Sequence, residues 1–187
     1  MTDEEIIEKI VNEEKSNYFE MLYDRYADKV YRKAILMVKD NDVAQDMAHD
    51  VMIKTFMKLS TFEGKSSFST WLYQITYTHC IDYLRKQKKM VEETIDDEKF
   101  DATPWLEDSQ EAIEEKELFE TQLEHLHEVL DEINPQDKIL LMMKYQDNMA
   151  IKDIAEFCHC GESAVKMKLK RARDKVKEIY KQKYKKV

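Results

Sequence analysis

The sequence predicts an all-α protein: two small helical domains joined by an acidic linker. Three observations carry this. Only two glycines and two prolines occur among 187 residues, so few of the tight turns that sheets need can be built. Apolar residues recur at helical spacing through several long stretches. Charge is also uneven. Between Glu92 and Glu117 twelve Asp/Glu face only Lys99 and Lys116, a local charge of −10, whereas Lys166 to Val187 carries eleven Lys/Arg against Asp174 and Glu178, or +9. The net −9 of the chain therefore hides a strongly basic end, the usual footprint of a nucleic-acid contact. The domains are expected at 1–90 and 113–187, with the linker at 91–112.

Ile6, Ile7, Ile10 and Val11 predict a short first helix. Phe19, Leu22, Tyr23, Tyr26, Val30, Ala34 and Val38 predict a longer second one. Lys39 to Asp42 ("KDND") breaks it, with Asp42 as N-cap of the third. That helix puts Met47, Val51, Thr55 and Leu59 on one face, beside Ala44, Ala48 and Met52. "TFEGK" (Thr61 to Lys65) is a loop around the first glycine. Ser66 or Ser67 caps a fourth helix that runs to about Lys89, held in its domain by Phe68, Leu72 and Ile75. Residues 90–110 contain Pro104 and many acids with little periodicity. Helical pattern resumes near Glu111 and stops before Pro135, a natural N1 residue. Gln136 to Gln146 form an apolar helix and Ala150 to Cys158 a short one. "HCGES" turns around the second glycine, and a basic helix follows.

Several classes of protein are excluded or disfavoured. No apolar run reaches the roughly 18–20 residues of a bilayer span, so direct membrane insertion is not expected. The acidic, amphipathic "MTDEEIIEKI" is no signal peptide. Three cysteines without framework spacing suggest reduced thiols in a cytoplasm. Cys158, His159 and Cys160 are too close together for a tetrahedral zinc site and lack a second Cys pair. Nucleophile-elbow, phosphate-loop and HExxH patterns are absent, so neither enzymatic activity nor a cofactor or metal is expected.

"AIKDIAEFCHCGESAVKMKLKRARDKV" has the pattern of a helix-turn-helix. Ile151, Ile154 and Ala155 face inward on the first helix, and Val165, Leu169 and Ala172 hold the second against it. Ser163, Ala164, Lys166, Met167, Lys168, Lys170, Arg171 and Arg173 are left facing outward or flanking. Such a helix reads base edges in the major groove near its start and neutralises phosphates further along. In the third helix, Asp46, His49 and Asp50 share one face. A metal site of the Asp-x-x-His type would need a matching set on another helix. None appears, and a docking surface fits better.

In this order the segments resemble a known family. "YFEMLYDRYADKVYRKAILMVKDNDVAQDMAHDVMIKTFMKLSTFEGKSSFSTWLYQI…IDYLRK" is similar to domain 2 of bacterial sigma factors. "LHEVLDEINPQDKILLMMKYQDNMAIKDIAEFCHCGESAVKMKLKRAR" is similar to their domain 4. With nothing domain-sized between them, the chain resembles the extracytoplasmic-function (ECF) class of the sigma-70 family. A lone helix-turn-helix regulator would leave "GKSSFSTWLYQI" without a role.

The resemblance implies an alternative sigma factor that binds RNA polymerase core and directs promoter-specific initiation. Asp46, His49, Asp50 and Lys54 would dock on the clamp helices of the largest subunit. Domain 4 would rest on the flap of the second-largest subunit and read the −35 duplex. Domain 2 would open the −10 DNA. Lys65, Ser66 and Ser67 would line the base pocket, Trp71, Gln74, Tyr77 and Thr78 would follow along the helix, and Arg85, Lys86 and Lys88 would hold phosphates. The family is commonly restrained by an anti-sigma partner, often membrane-anchored. The chain departs from the usual pattern at His49 and Asp50, where Gln and Glu are common, at Tyr77 and Thr78, where Arg-Asn is common, and at His79, where an apolar residue is common.

Overall fold

The computed structural model describes residues 1–91 and 128–184, with side chains of residues 88–91 excepted. The expected linker lies outside these residues from Glu92 on, its first residue, Val91, being the last of a helix; most of the helix expected from Glu111 also lies outside them. The chain divides into two compact units, Met1–Asp96 and Asp97–Val187.

The first unit holds four α-helices: α1 (Asp3–Val11), α2 (Phe19–Val38), α3 (Asn41–Lys58) and α4 (Phe68–Val91). A capping box between Thr2 and Glu5 starts α1, satisfying two backbone donors reciprocally. Its buried Ile6 and Ile7 join Leu22, Tyr26 and Val30 of α2, Ala48, Val51 and Met52 of α3, and Phe68 and Leu72 of α4 in one core. Asp3 also pairs with Arg25 and accepts a hydrogen bond from the Tyr26 hydroxyl. Burial and that carboxylate push the Tyr26 phenol well up.

α2 ends where Lys39 turns left-handed (φ 58°). α3 begins at once, but its cap is Asp40, not Asp42: the Asp40 carboxylate accepts the Val43 N–H at 3.0 Å. The left-handed Lys39 ends one helix and the next residue caps the other, so no residue is left over for a loop. In the loop before α4, Gly64 takes φ +69°, a conformation a side chain resists.

The second unit opens in helix at 128–130. Asn134 caps α5 (Pro135–Leu141), accepting the Asp137 N–H at 2.7 Å, with Pro135 in the first turn. The expected single helix over Gln136 to Gln146 is in fact two geometries, because a π-helical turn, Met142–Gln146, follows α5. Then come α6 (Ile151–Phe157) and α7 (Glu162–Tyr184). The turn between α6 and α7 is a Schellman motif: Cys160 N–H reaches Ala155 O and His159 N–H reaches Glu156 O. Its left-handed residue is His159 (φ 50°), where glycine is usual. Gly161 lies two residues further on, at the start of α7. Ile154, Ala155, Val165, Leu169 and Ala172 are buried as the helix-turn-helix pattern predicts.

Candidate functional site

Three surfaces emerge. The first is the face of α3. Asp46, His49, Asp50 and Lys54 are all exposed along it, because Met47, Ala48, Val51 and Thr55 occupy the opposite, buried stripe. Neighbouring helices hydrogen-bond two of these side chains and approach a third. The Tyr23 hydroxyl of α2 hydrogen-bonds His49 Nε2 at 2.9 Å. From α4, His79 Nδ1 accepts from Lys54 Nζ at 2.6 Å, and its Nε2 lies 3.7 Å from Asp50 Oδ2. Burial first, then the Lys54 charge, push the His79 imidazole below its ordinary value, outweighing the pull of Asp50 and Asp82.

Three apolar residues that helical periodicity does not single out extend this face: Ile53, Phe56 and Met57, at 58%, 42% and 74% exposure. Phe56 stands edge-on to Phe19 at 4.9 Å. An exposed apolar cluster rimmed by charge marks an interaction surface. The signal was present in the sequence as apolar residues off the inward stripe, which an amphipathic helix should fill with polar ones.

The second surface is the loop before α4 and the outer side of α4. Lys65 is exposed and paired with Glu63, whose carboxyl it holds below the ordinary value through that hydrogen bond. Ser67 caps α4: its hydroxyl oxygen accepts the Thr70 N–H at 3.2 Å and it donates to Thr70 Oγ1 at 2.9 Å. Ser66 is half-buried beside it. Trp71 is half-buried against Phe62 and Phe68, with ring centres 5.3 and 5.9 Å away. Gln74 is half-exposed and Thr78 exposed; the Thr78 hydroxyl donates to Gln74 O at 2.8 Å, which leaves its oxygen free to accept. Arg85 and Lys86 are exposed, and the side chain of Lys88 lies outside the described residues.

Tyr77 stands apart and corrects an expectation. It is fully buried, at 0% exposure. It shares a stripe with Tyr73 four residues before and Cys80 three after, so the helix turns it inward. Beneath these rings sits Lys33 of α2, itself 4% exposed, with Nζ 4.1 Å from the Tyr73 ring centre and 5.7 Å from that of Tyr77. This is a desolvated cation–π arrangement. Tyr77 belongs to the core and not to the outer surface of α4.

The third surface is α7. Ser163, Lys166 and Arg171 are exposed, and Ala164, Met167, Lys168 and Lys170 are half-buried. Arg173 is the second correction. It is 5% exposed and donates to the Tyr145 hydroxyl at 2.9 Å. Leu169, Ala172 and Val176 are buried around it on the same stripe, so position 173 cannot leave the core. The far end of α7 is tied back, Tyr184 to Glu128 and Lys183 to Glu132. At the turn, burial pushes the Cys158 thiol up to about 12, with Cys160 adding to it, which makes it a poor nucleophile. Among the described residues no group of three His, Cys, Asp or Glu is arranged to hold a metal ion, and no helix is long and apolar enough to cross a membrane.

Comparison with known proteins accounts for this arrangement. Residues 22–90 match the family model of sigma-70 region 2, and residues 123–176 match that of sigma-70 region 4. The chain is 30% identical over 183 residues to the ECF RNA polymerase sigma-E factor of Haemophilus influenzae, covering 94% of each chain. It is 28% identical over 148 residues to the ECF RNA polymerase sigma factor SigX of Bacillus subtilis, covering 79% of this chain and 76% of that one. Among solved structures it shares its fold with the sigma factor RpoE of Bartonella quintana, solved in complex with the anti-sigma factor NepR. The TM-score is 0.63 at 20% identity, over 88% of this chain and 98% of that chain.

The chain belongs to the ECF class of the sigma-70 family. It is an alternative sigma factor, a DNA-binding protein that directs promoter-specific transcription initiation and not an enzyme.

Proposed function

We propose that the α3 face seats this sigma factor on RNA polymerase core, through the clamp helices of the largest subunit. Asp46, His49, Asp50 and Lys54 supply the charge complementarity, and Ile53, Phe56 and Met57 supply the apolar surface that desolvates on docking. That juxtaposition is the observation on which the reading rests. Within residues 1–90, the −10 strand is opened and read by Lys65, Ser66, Ser67, Trp71, Gln74 and Thr78, with Arg85, Lys86 and Lys88 on its phosphates. Within residues 113–187, α7 reads the −35 duplex. Ser163, Ala164, Lys166 and Met167 lie nearest the base edges, and Lys168, Lys170 and Arg171 lie toward the backbone, while the unit rests on the flap of the second-largest subunit. The linker at 91–112 joins the two.

An exposed apolar face needs a cover when polymerase is absent. An anti-sigma factor, membrane-anchored or not, would supply it in the cytoplasm by occupying the same α3 residues. Run-off transcription with purified core enzyme tests the whole reading. The wild-type chain is expected to stimulate a subset of promoters from its own genome, and Asp50→Lys or Ile53→Asp to abolish stimulation. Full stimulation by both variants would overturn the docking assignment.

A further inference from the structure

We infer that His79, although it sits on the promoter-facing helix α4, is a positioning residue for the polymerase-docking face of α3, holding Lys54 in place. The inference rests on the docking role assigned to α3 above and adds a residue to it.

Lys54 is exposed, and an exposed lysine side chain carries about 2 kcal/mol of rotamer entropy. A partner that fixes it before docking removes that cost from the binding step. His79 is well placed to do so. Its side chain is only 18% exposed, against 61% for Asp50, and it comes from a helix packed on α3. The Lys54 ammonium can only donate, so its 2.6 Å contact with Nδ1 requires the ring lone pair there. The ring proton is then on Nε2, pointing to the Asp50 carboxylate at 3.7 Å. One neutral imidazole thus orders a cation on the adjacent face, with the Asp50 carboxylate beside it.

The arrangement has a pH signature. The charged groups around His79 are Asp50 and Lys54 from α3 and Asp82 and Lys86 from α4 itself. Burial and Lys54 set the folded-state value below 6.5, so the ring is neutral at neutral pH. Acidification through that lowered value protonates it, removes the acceptor and turns Lys54 away. Both the alignment and the stability it confers are therefore present above 6.5 and lost as pH falls through the folded value.

The test measures core-polymerase affinity of the full chain, with circular dichroism as the check on folding. His79→Leu keeps bulk without an acceptor and is expected to weaken binding about tenfold. His79→Asn keeps an acceptor that does not titrate. It is expected to bind like the wild type at neutral pH and to lose the wild-type fall in affinity on acidification, while His49→Gln retains that fall. In a Lys54→Met background, His79→Leu should cost little more. An equal loss in both backgrounds would mean that His79 merely packs α4 on α3, and unaltered affinity in His79→Leu would likewise overturn the inference. If Lys54→Met and Asp50→Asn themselves leave affinity untouched, the docking assignment fails first and takes the inference with it.

Discussion

α4 and α7 are the two helices assigned to promoter DNA, and they prepare for it in opposite ways. α7 presents charge outward: Lys166 and Arg171 are exposed, flanked by half-buried Lys168 and Lys170. α4 turns its rings inward, with Tyr77 buried and Trp71 packed on Phe62 and Phe68, and leaves small polar groups such as Thr78 outside. On the proposed assignment the difference follows from the target. A duplex offers a regular array of phosphates that a row of cations can meet. A melted strand offers loose bases, and these need a rigid, shaped platform before any contact discriminates between them. α7 therefore relies on surface charge and α4 on internal packing.

If that contrast holds, substitutions in the two helices should fail differently. The largest effect is expected at Tyr77. Tyr77→Ala should lower the stability of the first unit by about 3–5 kcal/mol, as for other buried rings, and a urea melt of the full chain reads this directly. A variant with normal stability but altered −10 preference would return Tyr77 to the DNA surface. Next is Arg173→Met, expected to cost about 2 kcal/mol of second-unit stability through the lost bond to Tyr145, while leaving the salt dependence of −35 duplex binding unchanged. Ser67→Ala should cost about 1 kcal/mol by uncapping α4, visible as a lower melting temperature. The smallest stability effect is expected of Lys166→Ala and Arg171→Ala. These should melt normally, yet each should reduce the slope of log affinity against log salt by about 1. A slope unchanged by either would break the contrast from the α7 side.

The inward stripes were legible in the sequence wherever one helix face meets one core. Met47, Val51 and Thr55 in α3, Leu59 just past its end, and Val165, Leu169 and Ala172 in α7 follow period 3.6 without interruption, and the structure buries all of them. Legibility ends where a residue's chemistry and its angular position disagree. Arg173 reads as one more cation in a basic run, yet its place on the Leu169–Val176 stripe buries it. Tyr77 stands where the family often has Arg, so the resemblance pointed it at DNA while the stripe through Tyr73 and Cys80 pointed it inward. Asp40 and Asp42 are equally good caps by composition, and only the left-handed Lys39 chooses between them. The pairing of His79 with Lys54 spans 25 residues and leaves no trace in local pattern.

Lys33 and Lys138 acquire a practical meaning from their burial. Among the described residues each compact unit keeps one buried lysine: Lys33 under the Tyr73 and Tyr77 rings and Lys138 against Asp131 at 2.8 Å, at 4% and 5% exposure. Amine-acylating reagents modify exposed lysines within seconds to minutes but reach these two only when their unit opens. Peptide-level labelling at the two positions therefore supplies two separate clocks in one sample. One times the opening of the first unit and the other that of the second, and binding of a partner to either unit would slow its clock alone.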